Sequence, residues 1–294
     1  MGWPPVLTQY LSERSDRANP FIYSILYIFN PFHTFGRHYD LDSLVYDFEW
    51  NRVALPLSET ISSVVLPIRY MCRTKLVLPL AGPILVYDGN DFYSHHRRVD
   101  ILHPVARQMG LSSNSSRYAY DLCVINNDFR LFDIDPQNLD NWYSHNANVY
   151  SPADGVVVAA RDSVKDNSFA NGNVIPGSKL SLADPGSFSG NYIIIDHENG
   201  EYSLLAHFKK GSLRVKTGDR VKQGQLLGSV GFSGSTGNVV HLHYELRNSS
   251  SIVAAEGLPS QFLLFTNVNG LSKRTSATIE TGEIVKSDFK YQGR

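Results

Sequence analysis

His241-Leu242-His243 is the stretch best placed to do chemistry. In a β-strand, residues i and i+2 point to one face, about 6.6–6.8 Å apart along the chain. Two imidazoles so spaced share one site, and one can bind a metal while the other stands a water's reach away. An isolated pair of this kind is more often surface or packing, but its neighbours change the weighing. Phe232-Ser233-Gly234-Ser235-Thr236-Gly237 precedes it, a loop whose glycines let backbone come close to a ligand. His207 ends the apolar run Tyr202 to Ala206, and Asp121 lies inside the apolar run Tyr118 to Ile125. A carboxylate in such a strand is costly unless it is paired, with Arg117 as one candidate, or bound to a metal. The chain has ten histidines but only two cysteines, Cys72 and Cys123. Two thiols cannot build a thiolate cluster, so any metal site is made of histidine and carboxylate. The cysteines themselves are expected as free thiols.

The elements that would position these residues are short strands. Val64 to Ile68, Lys75 to Leu80, Tyr118 to Ile125, Val156 to Ala160, Tyr192 to Asp196, Tyr202 to Phe208, Leu226 to Val230 and Val239 to Leu246 have the β-branched and aromatic content of strands. Turn signals separate them at Gly82-Pro83, Asp88-Gly89-Asn90, Asn199-Gly200 and Thr217-Gly218-Asp219. A short helix fits between Val99 and Gly110, broken at its start by Pro104. Asp162 to Ser189 is polar and rich in Gly, Ser and Asn, which predicts a long surface loop of the sort that borders a cleft. Many closely spaced strands with little helical periodicity predict a mainly β fold, an antiparallel sheet with barrel-like character.

Several of these pieces occur together in an order that resembles the lysostaphin-type (LytM-like) zinc metallopeptidases. They are Ser151-Pro152-Ala153-Asp154-Gly155-Val156-Val157, Gly190-Asn191-Tyr192-Ile193-Ile194-Ile195-Asp196, Leu205-Ala206-His207, Val221-Lys222-Gln223-Gly224-Gln225-Leu226-Leu227-Gly228, Gly234-Ser235-Thr236-Gly237 and His241-Leu242-His243-Tyr244-Glu245-Leu246. Each is weak alone; together they cover most of Tyr118 to Leu246. The resemblance implies zinc as cofactor, with His243 and Asp121 as ligands and His207 and His241 as the catalytic pair. The remaining ligand departs from the family's usual His-x-x-x-Asp, because Arg117 stands where the histidine belongs and a guanidinium has no lone pair to give. A branch of the family resembles this chain in carrying a His-Arg-Arg segment before an Arg-Tyr/Phe-Ala-x-Asp strand. Here the matching residues are His95-His96-Arg97-Arg98 and Arg117-Tyr118-Ala119-Tyr120-Asp121. That likeness implies His96 as the missing ligand, with His95 as its substitute.

On the same resemblance the chain is a zinc endopeptidase acting on stem peptides or cross-bridges of bacterial peptidoglycan, in the cell envelope, periplasmic or extracellular. Asn191 and Tyr192 are candidates to line the substrate groove, with Tyr118 and Tyr120 beside them. The sequence lacks His-Glu-x-x-His, so a thermolysin-like helix is excluded. Arg117 motivates the competing reading, an inactive relative that kept the fold as an envelope-binding or regulatory module. Val215 to Gln225 also resembles the hairpin of biotinyl and lipoyl carriers, but their swinging-lysine motif is missing.

Composition fits this picture. The 294 residues carry 27 Lys and Arg against 28 Asp and Glu, for a net charge of -1, which gives no electrostatic case for nucleic acid. No apolar run reaches the 18–20 or so residues of a spanning helix. The best candidate, Phe21 to Phe29, is short and interrupted by Ser24. It is followed by Asn30-Pro31-Phe32 rather than a small-residue cleavage site, so a buried element is expected there and not a signal peptide. The organisation expected is an amino-terminal region of unknown role over 1–75, a peptidase domain over 76–265, and a carboxy-terminal extension over 266–294 that packs on the sheet.

Overall fold

The structure is a computed structural model that describes residues 44–51, 58–65, 70–89, 94–99, 101 and 103–292. The Phe21 to Phe29 run lies outside the described residues. The chain divides into two compact units, Met1–Tyr70 and Met71–Arg294. In the first, β1 (Leu44–Asn51) and β2 (Ser58–Val65) form an antiparallel hairpin.

The second unit is mainly β. Its strands are β3 (Leu76–Val77), β4 (Pro83–Asp88), β5 (Tyr120–Val124), β6 (Asn148–Tyr150), β7 (Gly155–Arg161), β8 (Ser168–Ala170), β9 (Asn173–Ile175), β10 (Tyr192–Asp196), β11 (Tyr202–Ala206), β12 (Arg220–Val221), β13 (Leu226–Ser229), β14 (Leu242–Arg247), β15 (Gly257–Leu258), β16 (Phe262–Asn267), β17 (Ser272–Ala277) and β18 (Ile284–Ser287). A twelve-stranded sheet runs β12-β7-β10-β11-β14-β5-β4-β18-β16-β17, with β15 beside β14 and β3 beside β16. Every pair is antiparallel except β3 with β16. The carboxy-terminal residues expected to pack on the sheet enter it instead, through β16, β17 and β18.

Strand alternation decides what each face carries. Ile84 and Val86 of β4, Tyr120 and Leu122 of β5, Leu205 of β11, and Leu242, Tyr244 and Leu246 of β14 are all buried in one continuous apolar core. The odd-numbered residues of β5 and β14 therefore face the other way. That second face has only a small apolar patch, Ile194, Leu204 and Ala206. Beside the patch lie polar side chains that are nonetheless buried.

Three expectations need correction. The Asp162 to Ser189 loop is not structureless: it holds the β8–β9 hairpin and a 3-10 turn at Pro185–Ser187. Phe169 of that hairpin packs against Trp142 and Phe232, which gives the excursion an apolar anchor. Tyr118 is not in the strand, because Ser115–Tyr118 form a 3-10 turn before β5. Pro104 opens the short helix α1 (Pro104–Gln108) rather than interrupting it, as suits a residue without an N–H to lose. Among the described residues no helix is long and apolar enough to cross a membrane.

Candidate active site

The site is a row of residues across four neighbouring strands. Ala206 of β11 is in register with His243 of β14, and His243 with Asp121 of β5. Asp121 is in turn in register with Asp88 of β4. Directly paired residues share a face, so the ladder itself brings His243, Asp121 and Asp88 together. Period-two alternation from Ile84 and Val86 would aim Asp88 into the core. A register shift between Val86 and Asp88 reverses that parity and puts the carboxylate on the site's face. His241 enters just before β14, and His207 follows β11 with a left-handed φ of 67°. His96 comes from a 3-10 turn, His95–Arg98, far from the others in sequence.

Three imidazole nitrogens converge on one oxygen, Asp121 Oδ1. His243 Nδ1 lies 3.0 Å away, His241 Nε2 3.3 Å and His96 Nε2 3.6 Å. His207 stands edge-on to His241, ring centroids 4.9 Å apart. All five residues are buried. Backbone carbonyls fix two of the tautomers. His207 Nδ1 is 2.8 Å from the Ser233 carbonyl, and His241 Nδ1 is 2.8 Å from that of Val239. A carbonyl only accepts, so each Nδ1 carries a proton and each neutral ring keeps its lone pair on Nε2. His241 Nε2 then faces a carboxylate oxygen, a contact that calls for positive charge, whether a proton on the ring or a bound cation. Nitrogen and oxygen donors gathered this way suit zinc, and the residues present fit such an ion.

The second imidazole nitrogens are held from behind. His243 Nε2 is 2.9 Å from Glu245 Oε1, and Glu245 also takes the Ser116 hydroxyl at 2.7 Å and pairs with buried Arg247 at 3.3 Å. Asp88 Oδ2 sits 2.8 Å from His96 Nδ1 and 2.7 Å from His95 Nδ1. Burial works to lower the pKa of His243, but its bonds to Asp121 and Glu245 outweigh it and push the ring up to about 10. Burial would raise Asp121, yet the fields of His241 and His96 hold it well below the usual carboxylate range. Burial opposes ionisation of Glu245 too, and the His243 bond with the Arg247 charge brings it down to about 2. Asp88 is likewise held low against its burial by His95 and His96. Burial drives His207 well down, helped by the charges of His241 and His243, and lowers His96. His95 is raised by its bond to Asp88. The buried Cys123 thiol is pushed well up by burial and by Asp121.

Residues 138–255 match the model of peptidase family M23. The match holds His207, His241 and His243; Asp121 and His96 lie upstream of it and reach the site through the sheet. Over 76 residues the chain is 36% identical to Endolysin 2638A of Staphylococcus phage 2638A, a match covering 25% of this chain and 15% of that protein. Over 60 residues it is 47% identical to the peptidoglycan DD-endopeptidase ShyC of Vibrio cholerae, covering 20% and 13%. The chain thus spans a small part of the length of both relatives. A solved zinc-containing peptidase of Vibrio cholerae aligns over 42% of this chain and 35% of its own at 21% identity, with a TM-score of 0.25.

Within and around the M23 segment the sequence-derived residues fall as follows. His96, Asp121, His207, His241 and His243 are brought together. His95 is mostly exposed, at 62%, and turns to Asp88. Arg117 is not the partner of Asp121; it pairs with Glu256 at 3.2 Å. Asn191 was expected to meet substrate, and the structure corrects that. It is fully buried, its amide gives both protons to the Val164 and Phe208 carbonyls, and its oxygen takes the Val164 N–H. Its side chain ties two loops together. Tyr192 remains half-buried under the Arg161 guanidinium, 5.5 Å from the ring centroid. Tyr120 is packed against Tyr244 and Phe262 in the core. Asp88 and Glu245 escaped the sequence reading.

Proposed function

We propose that this chain is a zinc metalloendopeptidase that hydrolyses peptide bonds of bacterial peptidoglycan, in the stem peptides or cross-bridges. It would work in the cell envelope, periplasmic or extracellular, where that substrate lies. The observation that carries the reading is the convergence of His96, His241 and His243 on Asp121 with His207 alongside. His96 through Nε2, Asp121, and His243 through Nδ1 would hold the metal. On this reading the early His-Arg-Arg segment supplies the ligand that Arg117 cannot, as in the branch that the sequence resembles. Bound there, zinc supplies a Lewis acid for the scissile carbonyl and acidifies a bound water.

The protein's own residues do the proton work. His207, kept neutral by burial, has a free Nε2 to take the proton of the attacking water. His241, once protonated, donates from Nε2 to the oxygen that gains negative charge. The Ser233 and Val239 carbonyls hold both rings in the required tautomer throughout. Tyr192 is the residue left to border the substrate. The names of the curated relatives, a phage endolysin and a DD-endopeptidase, support the substrate class.

Digestion of purified peptidoglycan followed by mass analysis of the fragments tests this. Peptide-bond cleavage should appear with zinc, stop on chelation and be absent in His243→Ala, which should also lose its zinc. Release that persists under chelation, or no release from a zinc-loaded protein, sinks the reading.

A further inference from the structure

The reaction proposed above makes no use of Asp88, a carboxylate only 6% exposed. Its Oδ2 accepts the Ser94 hydroxyl at 3.0 Å and the His95 backbone N–H at 3.2 Å. These two bonds fasten the start of the His95–Arg98 turn to β4. From the other side, the Asn114 amide donates to the His96 carbonyl at 3.0 Å. The His96 ring is then suspended between two carboxylates, Nδ1 at 2.8 Å from Asp88 and Nε2 at 3.6 Å from Asp121. His96 Nδ1 is buried and has no aligned hydrogen-bond partner; the Asp88 oxygen is close but off-line.

This arrangement answers a problem peculiar to His96. His243 and Asp121 are placed by strand ladders, whereas His96 comes from a four-residue turn with no ladder of its own. A side chain from such a turn needs another group to choose its position and tautomer. A carboxylate accepts and does not donate, so it favours the proton on the nitrogen that faces it and leaves the lone pair on the other. We propose that Asp88 is the positioning residue for His96: it anchors the turn and favours the proton on the Nδ1 that faces it, leaving the Nε2 lone pair aimed beside Asp121 for the metal. The inference rests on the zinc reading of the site. The parity change in β4 that turns Asp88 away from the core serves this role, and among the described residues the carboxylate's partners belong to the turn at 94–98 that it holds.

Zinc affinity by chelator competition and the tautomer of His96 by long-range 1H–15N spectra test it. Asp88→Asn should bind zinc 10–100-fold more weakly, on the order expected for an outer partner of a ligand. In the metal-free variant, the His96 proton should leave Nδ1 for Nε2 in part or whole, because an amide can donate to Nδ1. The melting temperature of metal-free protein should stay near that of wild type. Asp88→Glu keeps the charge one methylene further out. It should retain the wild-type tautomer and recover part of the affinity, and it carries the test if Asp88→Asn melts early. Wild-type affinity in Asp88→Asn overturns the inference and leaves the zinc reading standing. So does a loss of affinity with the His96 tautomer unchanged. A wild-type protein that binds zinc no better than His243→Ala removes both.

Discussion

At the scale of single residues, the proposed division between binding a metal and moving a proton has a counterpart in what holds each imidazole. His243 and His96 back onto carboxylates, Glu245 in hydrogen bond to His243 Nε2 and Asp88 2.8 Å from His96 Nδ1, the kind of partner that would strengthen the near nitrogen as a ligand. His207 and His241 back onto carbonyls, which fix a tautomer without adding charge. His207→Ala should accordingly keep one zinc per chain and lose turnover by about 10²–10⁴, the usual worth of a general acid or base. Metal content and the rate of peptide release, measured on the same preparation, check it; residual turnover within a few-fold of wild type would take His207 out of the mechanism. The histidines were legible because the HxH spacing and the strand-end His207 sit in recognisable motifs. Glu245 was legible in principle and missed: it lies two residues beyond His243 on the same face of an apolar strand, the argument that flagged Asp121. Asn191 misled for the opposite reason, since a motif residue beside the site spends its whole amide on backbone.

At the scale of elements, the strands followed from alternation, but the devices that aim their side chains did not. Asp88 belongs to Asp88-Gly89-Asn90, which reads as a turn; only the pairing with β5 reveals that it closes a strand and that a register shift reorients it. A bulge leaves no local trace in composition. The crossing of two loops behind His207 is similar. Gly190 and Gly234 both have positive φ, and a Cβ on Gly234 would come within 2.5 Å of the Gly190 nitrogen and 2.6 Å of the Phe188 carbonyl. This close crossing seats Ser233, whose carbonyl holds His207 and whose hydroxyl takes the Asn191 N–H. Gly200 has nearly the same φ, 85° against 84°, but open space around its missing Cβ. Gly200→Ala should therefore cost only the left-handed strain, about 1–2 kcal/mol. Gly234→Ala should cost a further 1–3 kcal/mol or so, since backbone must move to admit the methyl. Denaturant unfolding of the two variants makes the comparison, and equal losses would show that the crossing has room to spare.

At the scale of the whole molecule, chain order and spatial order part company. β14 sits between β11 and β5, so the segment that matches M23 meets Asp121 and His96, which precede it, because the strands pair in that order. Local pattern predicts strands and not their neighbours, so only the resemblance pointed to His96 in place of Arg117, while the sheet supplies a physical route for it. The same sheet partly buries a histidine away from the site. His197, after β10, has Nδ1 2.7 Å from the Asp154 carbonyl and Nε2 2.7 Å from the Ser203 hydroxyl, which reaches Tyr244 in the core at 3.2 Å. Burial lowers its pKa below the ordinary 6.5, against the raising influence of the Asp154 carbonyl and the Glu201, Asp196 and Asp154 charges. The unfolded chain then binds a proton at a pH where the folded chain does not. That makes stability full above about 6.5 and progressively lost as pH falls from there toward the folded-state value, by at most about 1.4 kcal/mol per pH unit for one group. His197→Gln, which can keep both hydrogen bonds without titrating, should flatten the decline. Melting temperatures of the metal-free wild type and variant between about pH 7.5 and 5.5 read the difference, with the wild type falling faster; parallel curves would mean that His197 takes up no extra proton on unfolding.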